Sequence, residues 1–145
     1  MPDHDIPHKP VTWMIVEDDA AIRNVILTMC ELWEFQTVVF EDGFQAMEYL
    51  RDENPPPPLP DIALIDIRIP GPAGHEIGAM IREHPVLKNI GVILMTAYEL
   101  PGSEEERYLA MSGADHLIYK PLPAMDELFN LSNEVIAKRR AKNTP

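Results

Sequence analysis

The chain has 145 residues, 46% of them hydrophobic, enough for one closed core and too few for a second domain. Its formal net charge of -12 speaks against direct binding to nucleic acid, whose phosphates attract basic surfaces. With a single cysteine, Cys30, no internal disulfide can form, and no run approaches the roughly 18 apolar residues of a membrane span. Residues 1–12 lack the apolar stretch of a signal peptide, so a cytoplasmic location and no membrane partner are expected.

Residues 1–10 (MPDHDIPHKP) carry three prolines and read as a loose tail, with His4 and His8 as solvated side chains. Residues 11–140 read as the folded domain and 141–145 as a short tail. The first apolar run, VTWMIV at 11–16, ends in Glu17-Asp18-Asp19. A helix follows with Ile22, Val25, Ile26, Met29 and Trp33 on one face and Cys30 in the same stripe as a buried thiol. Asp19 suits its N-cap. TVVF at 37–40 reads as a strand, and a helix runs from about Gly43 to Arg51. NPPPPLP at 54–60 cannot be helical and is expected to run as a stiff polyproline II connector. DIALID at 61–66 is the third strand, followed by a helix with Ile77, Met80 and Ile81 inward. GVILMTA at 91–97 is the fourth. Ser103 and Glu106 form an S-x-x-E capping box for the next helix, which Gly113 closes. HLIY at 116–119 is the fifth strand, and the last helix carries Met125, Leu128, Phe129, Val135 and Ile136 before a basic end, KRRAK. Unbroken apolar strands alternating with helices predict an α/β sandwich whose parallel sheet is covered on both faces.

The polar residues at the strand ends carry the chemistry. Glu17 and Asp18 follow the first strand, Asp66 ends the third, Thr96 the fourth, and Lys120 follows the fifth. Carboxyl ends of parallel strands share one rim, where such sheets bind ligands. Three converging carboxylates repel one another unless a cation intervenes, and Mg2+ prefers hard oxygen ligands. With it bound, Asp66 can attack phosphorus while Lys120 neutralises oxygens and Thr96 donates a hydrogen bond. The set reads as a phosphoryl-acceptor site.

VEDDAAIR at 16–23, LIDIRIPGPAG at 64–74, LMTA at 94–97 and IYKP at 118–121 resemble, in order and spacing, the four signatures of response-regulator receiver domains. The resemblance covers about residues 12–140. It implies the flavodoxin-like three-layer fold, five parallel strands in the order 2-1-3-4-5 with five helices. It implies phosphorylation of Asp66 by a sensor histidine kinase or histidine phosphotransfer protein. Mg2+ would be held by Glu17, Asp18, Asp66 and the backbone carbonyl of Arg68, with Thr96 and Lys120 on the phosphoryl group. Pro70 and Gly74 match shaping residues after the acceptor, and Pro121 matches the partner of Lys120, whose peptide bond is usually cis in the family. The family's output face is made by the fourth helix, fifth strand and fifth helix, which a loop at AYELPGS would shift. Glu104, Glu105 and Glu106 give that face an acidic edge.

Several positions depart from the pattern. Glu17 stands where many relatives have Asp, so its longer side chain suits contact through a water while Asp18 ligates directly. Leu117 takes the place of an aromatic three before Lys120, which puts coupling through that aromatic in doubt. Tyr119, pointing to the face opposite Lys120, is expected to pack rather than inherit the role. Arg68 and Tyr98 flank the expected path of hydrolytic water and are candidates to slow dephosphorylation. Arg68 also fills the place where a haloacid-dehalogenase-type phosphatase needs a second Asp, and Glu17-Asp18-Asp19 would repel a flavin phosphate. The expected function is a stand-alone regulator switching a protein-binding surface, with no catalysis beyond its own phosphorylation and dephosphorylation. A phosphorelay intermediate and a phosphorylation-independent adaptor are the alternatives.

Overall fold

The computed structural model describes residues 10–142, so the expectations for residues 1–9, including His4 and His8, and for residues 143–145 lie outside it. Ten elements alternate along the chain: β1 Thr12–Val16, α1 Ala20–Leu32, β2 Gln36–Phe40, α2 Gly43–Arg51, β3 Ile62–Asp66, α3 Gly74–Glu83, β4 Gly91–Thr96, α4 Gly102–Ser112, β5 His116–Tyr119 and α5 Met125–Lys142. The strands form one parallel sheet in the order β2-β1-β3-β4-β5, the doubly wound arrangement expected.

Every residue of β1, β3 and β4 is buried, because helices cover both faces and alternate side chains feed two cores. Met14, Val16, Ala63, Ile65, Val92, Leu94 and Leu117 point to one face, against Ala46 and Leu50 of α2 and Ile77 and Ile81 of α3. Trp13, Ile15, Ile62, Leu64, Ile93, Met95 and Ile118 point to the other, against Ile26 and Cys30 of α1 and Leu128, Val135 and Ile136 of α5. The expected buried thiol at Cys30 is present.

Three local expectations are corrected. Val25 is 48% exposed, since α1 buries only the narrower stripe of Ile26 and Cys30. The capping box at Ser103 does not form. Pro101 occupies the N-cap position, helix begins at Gly102, and no side chain caps it. The carbonyl of Pro101 accepts from Glu104 and Glu105 N–H, and those two acids face the positive helix end. The proline connector bends at residues 53–54 and 57–58 instead of running as unbroken polyproline II, and its Pro57–Pro58 bond is cis. Gly113 closes α4 in the left-handed conformation, as its position suggested.

Candidate functional site

Parallel pairing delivers the polar residues to one rim. Val16 pairs with Ile65, so Glu17 emerges beside Asp66, and Asp66 pairs with Met95, one residue before Thr96. Thr96 pairs with Tyr119, and its carbonyl accepts from the Lys120 N–H at 2.8 Å. Lys120 therefore enters the rim from the far side of the acids. The Lys120–Pro121 bond is cis.

Glu17 is fully buried, Asp66 is 5% exposed and Asp18 is exposed. One carboxylate oxygen from each lies within 4.8 Å of the others. The Lys120 ammonium bridges two of them, with Nζ 2.5 Å from Asp66 Oδ2 and 2.6 Å from Glu17 Oε1. The contact with Asp66 is a hydrogen bond, and that with Glu17 Oε1 is a close ion pair. Glu17 Oε2 accepts from the Asp19 N–H at 3.1 Å, and Asp66 Oδ1 accepts from the Arg68 N–H at 2.9 Å.

Burial pushes the Glu17 carboxyl up to about 7; Lys120 and the Asp19 N–H oppose the rise and Asp66 adds to it. Burial works against the Lys120 ammonium, but its contacts with Asp66 and Glu17 prevail and hold its pKa above the ordinary lysine value. The rim is short of positive charge.

Asp19, third of the acidic run, caps α1, its Oδ1 accepting from Ala21 and Ile22 N–H at 2.9 and 3.1 Å. Gly74 opens α3 against the acceptor strand, where a Cβ would lie 2.2 Å from the Asp66 carbonyl oxygen. Only glycine permits that approach. Thr96 is buried, and its Oγ1 accepts from the Tyr98 N–H at 3.2 Å. The Arg68 guanidinium lies 3.9 Å over the Tyr98 ring, so these two residues stack as a unit.

A profile of the response regulator receiver domain matches residues 13–132. The chain belongs to that family. This receiver is 28% identical over 113 residues to the polar-differentiation response regulator DivK of Brucella anthropi, covering 78% of the chain and 86% of DivK. It is 33% identical over 109 residues to the phosphate regulon transcriptional regulatory protein PhoB of Klebsiella pneumoniae, covering 74% of the chain but 44% of PhoB. It spans less than half the length of that second relative. The receiver domain of the sensor histidine kinase PA1611 from Pseudomonas aeruginosa superposes with a TM-score of 0.72 at 23% identity, covering 89% of this chain and 99% of that one. That structure has a magnesium ion coordinated in its active-site cleft.

Leu117 of this receiver is buried in the core facing α2 and α3. Tyr119 does not pack as expected: it is 36% exposed, and its Oη donates to Glu105 Oε2 of α4 at 2.7 Å. The acidic edge of α4 is therefore partly engaged, with Glu104 accepting from Tyr108 as well. Sequence reasoning also passed over Arg23, whose guanidinium holds the loop that carries Glu17 and Asp18. The one signal available was a cation on the first turns of a helix directly after an acidic run.

Proposed function

We propose that this receiver takes a phosphoryl group onto Asp66 from a histidine kinase or histidine phosphotransfer protein and thereby switches a protein-binding face. The observation that carries the reading is three carboxylate oxygens within 4.8 Å of one another beside the half-buried ammonium of Lys120. The donor set fits Mg2+: all ligands are hard oxygens, and three carboxylates converge where Lys120 offers one positive charge. Glu17, Asp18, Asp66 and the Arg68 carbonyl would hold the ion. A bound Mg2+ supplies positive charge against phosphoryl oxygens as charge develops on them.

The chain's own groups perform the remainder. An Asp66 carboxylate oxygen attacks phosphorus, the P–N bond of the donor phosphohistidine breaks, and its electrons leave with the imidazole. Lys120 follows the incoming charge, since its ammonium already touches Asp66. The Thr96 hydroxyl accepts from Tyr98 N–H and keeps its own proton for a phosphoryl oxygen. Drawing Thr96 inward pulls on the loop at 97–101, which leads into α4, so the face of α4, β5 and α5 changes. No external substrate is turned over.

Incubation with acetyl phosphate and Mg2+, followed by intact-mass measurement, tests the proposal. Wild type is expected to gain one phosphoryl group and Asp66→Asn none. If neither protein gains mass, a phosphorylation-independent adaptor replaces the reading.

A further inference from the structure

Arg23 leaves α1 toward the sheet with its side chain 14% exposed. Its Nη1 donates to the carbonyl oxygen of Glu17 at 2.9 Å and to that of Asp18 at 3.3 Å. Its Nη2 lies 3.4 Å from Glu41 Oε1, in the turn between β2 and α2. One nitrogen thus donates to the carbonyls of consecutive residues, the two acids of the rim.

Placing a cation behind a cation site is electrostatically adverse, so its presence calls for a geometric reason. The peptide groups of Glu17 and Asp18 lie beyond the end of β1, where the sheet ladder no longer orients both of them. Fixing their carbonyls fixes the peptide planes, and with them the directions in which the two side chains leave the backbone. Glu41, from the neighbouring turn, offsets the guanidinium charge. We propose that Arg23 is a positioning residue for the divalent cation, holding the backbone of Glu17 and Asp18 so that their carboxylates converge on Asp66 before the ion arrives. The inference rests on the metal reading under Proposed function.

The test uses Mn2+, titrated into the full chain and followed by the electron paramagnetic resonance of the free ion, with metal-free thermal unfolding alongside. Arg23→Met is expected to weaken Mn2+ binding about tenfold, as loss of groups that orient metal ligands does elsewhere. Arg23→Lys, able to reach one carbonyl, is expected to fall between the two. Arg51→Met removes an exposed ion pair with Glu48 far along α2 and is expected to bind like wild type. Wild-type affinity in Arg23→Met overturns the proposal whatever its melting temperature does; so does an equal loss in Arg51→Met. Should Arg23→Met fail to fold, Arg23→Gln replaces it, with the same loss expected and the same reversal if affinity is unchanged. A wild-type chain that takes up no Mn2+ overturns the functional reading along with this one, which separates the two failures.

Discussion

At the amino-terminal ends of the strands, Asp115 accepts from Arg139 Nε at 2.9 Å, Arg82 Nη2 at 3.2 Å and the Val92 N–H at 2.9 Å. Nearby, Asp61 accepts from the Thr12 N–H at 2.9 Å and Arg140 Nη2 at 3.4 Å. At the carboxyl ends, three carboxylates converge, two of them, Glu17 and Asp66, share the Lys120 ammonium, and the Glu17 carboxyl is driven up to about 7. Both rims hold acids and cations. The lower one matches them and gives each acid oxygen a donor; the upper one leaves negative charge unmatched. The lower rim serves the fold, and the upper concentrates acids beyond what Lys120 balances.

That contrast can be broken most severely at Arg82. Its guanidinium also donates to the carbonyls of Gly113, Lys88 and Ile90, tying α3 to the strand ends at β4 and β5. Arg82→Met is expected to lower unfolding free energy by about 3 kcal/mol in denaturant titration, because the Gly113, Lys88 and Ile90 carbonyls lose a charged donor, while Asp115 keeps Arg139. Phosphorylation of the protein that remains folded should be unchanged. A parallel loss of Asp66 labelling would show that the rims are not independent.

On the upper rim, the stack of Arg68 on Tyr98 stands over the expected approach of hydrolytic water. Combined Arg68→Ala and Tyr98→Ala should shorten the phosphoryl lifetime several-fold, on the order of 1 kcal/mol in barrier height, as read by decay of the phosphorylated mass. An unchanged lifetime removes the stack from the account. Asp19 sharpens the contrast within the acidic run itself, since it caps α1 rather than facing the cation site. Asp19→Ala is expected to cost about 1 kcal/mol of stability while leaving Mg2+ affinity in place. Between the rims, burial pushes the Cys30 thiol up to about 12. At pH 8 it should not react with a thiol reagent until the chain unfolds; rapid labelling of native protein would mean that α1 opens from the sheet.

Much of this was legible because strands announce themselves as apolar runs and their order fixes which ends meet. Glu17, Asp66, Thr96 and Lys120 are each one strand end, so a doubly wound sheet gathers them without further information. What stayed hidden depends on partners chosen in three dimensions. KRRAK read as a basic helix terminus, but Arg139 and Arg140 reach Asp115 and Asp61 across the fold. Val25 sits at the edge of an apolar stripe whose centre, Ile26 and Cys30, is buried, and it stays exposed itself. Tyr119 was placed on the correct strand face, yet nothing in HLIYKP reveals that Glu105 waits on α4. The Ser103 box failed because Pro101 starts the helix two residues earlier.

The upper rim is short of positive charge, and the proposed divalent ion would supply it. Thermal unfolding with and without Mg2+, on wild type and Asp18→Asn, tests it most directly. Saturation at a hundred times the dissociation constant should add about 2.7 kcal/mol, a melting shift of several degrees, in wild type alone. The shift should approach its full size well above pH 7 and shrink below it, where Glu17 takes up a proton that the ion must displace. Identical melting curves with and without Mg2+ at pH 8 would contradict the account.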